Sequence, residues 1–174
     1  MAGLPEIDVW QGEIAELEVD ALVVGASESL FMTAGPAASV KRRGGAAIEA
    51  AAVDHGPVQP GRAIVTTGGT LAAPYVVHAV GVGHDRRAEP DRLRSAIRAA
   101  LAVAAPLQLH RLAFALIGAE HGVFASQDAA DILVDELTAA DPSVPVESVV
   151  IVTMHATETS AVAAALARHR TGVR

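Results

Sequence analysis

Short apolar runs alternate along this chain with longer, alanine-rich stretches of helical period. Residues 7–11 and 21–26 read as strands. The second holds an unbroken run, Ala21-Leu22-Val23-Val24, the pattern of a strand covered on both faces. Residues 37–53 read as a helix that turns Ala, Val and Ile inward and Lys41, Arg42, Arg43 and Glu49 to solvent. Gly44-Gly45 breaks or kinks its middle. The β-branched runs at 62–67 and 75–80, parted by Gly68-Gly69 and Pro74, predict strand, turn, strand. Residues 91–105 form an amphipathic helix introduced by Pro90 and stopped by Pro106. A strand at 111–117 leads into a Gly-containing loop, 118–124, and Ser126 is placed to cap a helix reaching about Ala140. A last buried strand spans 148–154, and Thr157 or Thr159 can cap a final helix through His169. No linker or internal repeat divides residues 1–174. Mainly βα units with extra strands predict a single α/β domain, a mixed or largely parallel sheet between helical layers.

Composition narrows the function classes. Hydrophobic residues make up 51% of the 174 but aromatics only 3%, so the core must be built from Ala, Val, Ile and Leu. The net charge of −7 leaves no broad basic surface to neutralise a phosphate backbone, which argues against nucleic acid as a partner. A small anion remains feasible, because oriented backbone N–H groups bind phosphate without net positive charge. With no cysteine, disulfides, thiolate nucleophiles and Cys-based zinc sites are excluded. The histidines are scattered without His-x-x-x-His spacing, so neither a metal nor another cofactor is expected. Residues 1–10 lack the basic start and apolar run of a signal peptide, and the apolar stretch at 99–107 is too short for a bilayer. The expectation is a soluble, cytoplasmic protein with no membrane partner; the sequence does not set its oligomeric state.

Two loops follow strands and precede helices, where ligands gather in such sheets. The first spans 27–38 and carries Gly35. The second, 118–124, carries Gly118, Ala119 and Gly122. Around them the sequence resembles the macro domains, the module that binds ADP-ribose. Val9-Trp10-Gln11-Gly12-Glu13-Ile14 and Val19-Asp20-Ala21-Leu22-Val23-Val24 are similar to that family's opening, where a Gly-Asp-Ile turn precedes a strand ending in Asn-Ala-Ala-Asn. Gly44-Gly45 to Ile48-Glu49, 58–67, Tyr75-Val76-Val77-His78-Ala79-Val80-Gly81 and 112–122 continue the order, so the resemblance covers roughly residues 7–140.

The resemblance implies a three-layer α/β/α sandwich with a six-stranded mixed sheet and a cleft for ADP-ribose or a related nucleotide at the strand ends. Glu13 falls where an Asp accepts from the adenine amino group, and Ile14 would present its N–H nearby. Gly35, Pro36 and Ala37 occupy the first phosphate loop; Gly118, Ala119, Glu120, His121, Gly122, Val123 and Phe124 occupy the second, with Phe124 near the distal ribose. Several positions depart from the family. Asn-Ala-Ala-Asn is replaced by Val24-Gly25-Ala26-Ser27, and Ser27 offers one donor where an Asn amide offers two. Pro36 removes an N–H. Glu120 stands near a usual glycine, and its charge would repel a diphosphate if it points inward.

Binding is the first reading. A hydrolase removing ADP-ribose or an acyl group, with His121 or Glu120 as the base, is one alternative. The other is a degenerate interaction module whose cleft is closed by Pro36, Phe31 or Glu120. His78 reads as a core histidine. Asp85-Arg86-Arg87 is surface charge, unless Arg86 or Arg87 folds over the cleft to reach a phosphate.

Overall fold

The computed structural model describes residues 3–172, the side chain of His121 excepted. Its six strands are β1 (Glu6–Gln11), β2 (Ala21–Gly25), β3 (Arg62–Thr67), β4 (Tyr75–Val80), β5 (Arg111–Ala115) and β6 (Ser148–Thr153). They lie in the order β1-β6-β5-β2-β4-β3. Only the edge strand β3 runs antiparallel to its neighbour; all other pairings are parallel. β2 sits in the interior, with Ala21 opposite Tyr75 on one side and Leu112 on the other.

The period-two alternation of the strands sorts two cores. Ala21 and Val23, Val77 and Ala79, Phe114 and Ile151 face one side, where α3 (Pro90–Ala102), α5 (Ser126–Thr138) and α6 (Ala156–Thr171) cover them. Leu22, Val24, Val76, Ala113 and Val152 face the other, beneath α1 (Gly35–Gly44), α2 (Ala46–Val53) and a short 3-10 turn, Ile14–Glu16. At the amino end of β2, the Asp20 carboxylate accepts the N–H groups of His110 (2.7 Å) and Arg111 (2.8 Å), pinning β2 to the start of β5.

Several local expectations shift. The helix predicted over 37–53 begins two residues earlier and is split at Gly45, whose φ of 103° is open to glycine but strained for other residues. Glu49 does not face solvent. It turns back to accept Lys41 Nζ and the Met32 N–H, each at 2.7 Å, and so props the first loop. Pro106 does not stop α3. It lies in the first turn of a separate short helix, α4 (Ala104–Leu107), where its missing N–H is not needed. β5 ends at Ala115, two residues early. Ser126 is the first residue of α5 rather than its cap; Ala125 holds that position, with no side-chain bond. His155, not Thr157 or Thr159, precedes α6, and Glu158 reaches back to the N–H groups of Met154 and His155. Among the described residues, no helix is long and apolar enough to cross a membrane.

Candidate functional site

Because five strands run parallel in one sheet, their carboxyl ends open on one edge of the molecule. A cleft follows that edge. One part, about 260 Å³, is walled by Gly25 to Ser27 after β2, Gly81 to His84 after β4, and Ile117, Gly118, Glu120 and Val123 after β5. A second part, about 270 Å³, continues past Gly35, Pro36 and Glu120 to Met154, His155 and Glu158 beyond β6. A narrow third part, bounded by Gly12, Glu13, Ile14, Pro36, Ser39 and Met154, extends to the end of β1. Pro36 borders all three. The amino end of α1 points into the cleft, so the N–H groups of its first turn lend a positive partial charge there.

Glu13 and Ile14 stand together at one end. The Glu13 carboxylate accepts the Ser39 hydroxyl, which fixes its direction and leaves its second oxygen for another donor. The space beside it is about 10 Å³, room for one water. The Met154 side chain, 42% exposed and unbranched, borders this space. At the other end, Ser27 is on the wall, with its hydroxyl 3.0 Å from that of Ser29. Gly35, Pro36 and Ala37 belong to the first turn of α1 and border the middle of the cleft.

In the second loop, Gly118, Ala119, Glu120 and Val123 border the cleft. Gly122 does not; it turns the chain at φ 67° toward open space. The side chain of His121 lies outside the described residues. Phe124 departs from the expectation: its residue is 6% exposed and packs inward against the main core beside Gly118, so it is not among the residues that line the cleft. The aromatic on the cleft wall is Phe31, 54% exposed. The loop that carries Phe31 is held firmly. Leu30 adopts φ 64°, a left-handed conformation that costs an L-residue about 1–2 kcal/mol. Its side chain offsets this by burial among Ala52, Val58 and Val80.

Glu120 does point inward. Its Oε2 accepts the Gly118 N–H at 2.6 Å, and its Oε1 is buried without a hydrogen-bond partner. Burial pushes its pKa up to about 7, the nearby Glu158 charge adds to the rise, and the N–H groups of Gly118, Glu120 and Gly25 partly oppose it.

In the wall after β4 the sequence pointed only to Arg86 or Arg87, and Arg86 is the one that lines the cleft. Val82, Gly83, His84 and Arg86 line the cleft there. Glu28 accepts the His84 N–H at 2.8 Å, with His84 Nδ1 2.9 Å away, and so ties the first loop to this third one. Met154, His155 and Glu158 were also missed. The signal available was the end of the strand predicted at 148–154, the place where a parallel sheet puts its ligands. Among the described residues, no group of three or more His, Asp or Glu side chains is arranged to hold a metal ion.

Comparison with known proteins agrees with this architecture. The family model of the macro domain matches residues 23–133. A macro domain-containing protein of Cupriavidus necator is 38% identical over 148 residues, 79% of this chain and 85% of its own length. An uncharacterized protein of Mycobacterium tuberculosis is 31% identical over 74% of this chain, which spans only 36% of that longer protein. Among solved structures, the Oceanobacillus iheyensis macrodomain with ADP superposes with a TM-score of 0.87 at 17% identity, over 99% of this chain and 95% of its own. The Trypanosoma brucei macrodomain in complex with ADP-ribose gives 0.84 at 20% identity, over 92% of this chain and 69% of its own. The family model over residues 23–133 and the relative at 38% identity lead to one assignment: the chain belongs to the macro domain family.

Proposed function

We propose that the cleft binds ADP-ribose or a related nucleotide, with the adenine beside Glu13 and Ile14, the diphosphate between the first turn of α1 and the second loop, and the distal ribose near Ser27 and Phe31. The observation that carries this reading is the row of three adjoining pockets, with Pro36 a shared wall, from Glu13 at the end of β1 to Ser27 after β2, and the first turn of α1 along its middle. The structural neighbours solved with ADP and with ADP-ribose support it. Isothermal titration with ADP-ribose tests it: measurable heat is expected, and silence at millimolar ligand rejects it. Glu13→Ala should weaken adenosine-containing ligands by about tenfold, the worth of one hydrogen bond to a charged group, and leave ribose 5-phosphate unchanged.

Turnover is a second reading, favoured by one observation. The Glu120 carboxyl, enclosed at the cleft and titrating near neutrality, is suited to proton transfer. A time course on a mono-ADP-ribosylated protein, native against Glu120→Gln, separates turnover from binding.

A further inference from the structure

The Glu120 side chain crosses the cleft at its centre. From the second loop it passes Gly35, whose Cβ position would be 3.9 Å from Glu120 Cγ, and ends at Gly25. There the absence of a side chain makes the space: a Cβ on Gly25 would lie 2.2 Å from Glu120 Oε1. One carboxylate oxygen takes the Gly118 N–H at 2.6 Å, a donor that the phosphate of a bound nucleotide would otherwise meet. Glu120 lines both large parts of the cleft, so a ligand spanning them passes beside this residue.

We infer that Glu120 is a resident anion in the diphosphate seat, and that the cleft takes a diphosphate only with this carboxyl neutral, so that nucleotide binding draws a proton from solvent. The inference rests on the nucleotide reading above. Two like charges in contact inside a site withdrawn from water repel far more strongly than at the surface. The carboxyl is also confined, between Gly25 on one side and Gly118 on the other, so protonation in place is the shorter route than withdrawal. When neutral, its O–H can donate to a phosphate oxygen instead of opposing it.

The charges around it come from two other elements. At the start of α6, Glu158 and His155 border the same compartment, and Glu158 adds repulsion. From the loop after β4, His84 and Arg86 face the large compartment. β2 and the first turn of α1 contribute backbone and small or apolar side chains only. Because free Glu120 titrates near pH 7, the neutral form falls from the majority at pH 6 to about a tenth at pH 8.

Calorimetric titration of the protein with ADP-ribose between pH 6 and 8 tests the inference, since the ligand's diphosphate stays fully ionised over that range. Affinity should fall about tenfold from pH 6 to pH 8, in proportion to the competent fraction. Titrations in buffers of different ionisation enthalpy should show uptake approaching one proton at pH 8. Adenosine, which has no phosphate, should bind equally at both values. Glu120→Gln should give a flat profile and bind about tenfold more tightly than the native protein at pH 8.

Gly25→Ala provides an independent arm, because Gly25 is not in the left-handed region and accepts alanine. Its Cβ should drive the carboxyl out of the seat and flatten the profile with Glu120 still present. A flat native profile, an affinity that rises with pH, or a slope that survives Glu120→Gln overturns the inference and leaves the nucleotide reading standing. Absence of ADP-ribose binding by native protein and both variants at every pH overturns the two together.

Discussion

His78 is fully buried and Glu120 half-buried with one oxygen withdrawn from water, and each leaves one polar atom, Nδ1 and Oε1, without a partner. His78 sits within the sheet on β4, opposite Val24 of β2 and Ile64 of β3, with its Nε2 2.9 Å from the Thr66 hydroxyl. Burial pushes its pKa down to about 4, and His55 contributes to the fall. Glu120 lies at the cleft, where burial pushes the pKa up to about 7. One rule governs both, since withdrawal from water disfavours the charged form. Its consequences are opposite. The histidine is neutral throughout the neutral range and contributes shape and one hydrogen bond. The carboxyl changes charge in the middle of that range, beside the space where a ligand would lie. The sheet interior silences an ionisable group; the strand ends leave one poised.

The strongest test of that contrast is acid stability. The unfolded chain protonates His78 near its ordinary value of about 6.5, but the folded chain resists until about pH 4. Between those values the unfolded state binds more protons, so stability falls as the pH drops. Urea melts at pH 7 and 4.5 should show a loss on the order of 2–3 kcal/mol attributable to this residue. His78→Leu should remove that increment of the pH dependence, and a variant with an unchanged pH difference would refute the account.

Glu120 predicts the reverse slope. The unfolded chain releases this proton near 4.5 and the folded chain near 7, so stability falls as the pH rises through that window. Glu120→Gln should therefore stabilise the protein at pH 8 by about 2 kcal/mol and have little effect at pH 4.5, read from the same melts. Equal melting of both proteins at pH 8 would show that the carboxyl is better hydrated than its position implies. The smallest effect concerns the hydrogen bond that distinguishes the two groups. Thr66→Val keeps the volume but removes the buried partner of His78, and should cost about 1–2 kcal/mol at pH 7 without changing ADP-ribose affinity. A loss of affinity would mean that the interior and the cleft are coupled after all.

The strands were legible because each is an apolar or β-branched run bounded by breakers. β3 and β4 fall on the predicted residues, since Gly68-Gly69 and Pro74 delimit them. The Gly44-Gly45 break was equally plain. The cleft was legible only where a segment acts alone. Loop residues next to strands and the Glu13 turn could be located, but the direction of their side chains could not. Phe124 and Phe31 are both aromatic loop residues, and nothing local says that one fills the core while the other lines the cleft. The inward turn of Glu120 depends on Gly25, ninety-five positions earlier and on a different strand. The compartment at Met154, His155 and Glu158 depends on β6 lying between β1 and β5, a neighbour relation that no short window contains.

The bare backbone at Gly25 also has a hereditary meaning. Any glycine codon becomes an alanine codon by a single base change, and the methyl group so gained would lie 2.2 Å from the Glu120 carboxyl. A lineage carrying this domain is thus one nucleotide away from evicting its own resident anion, with the glutamate left in place and the rest of the cleft untouched.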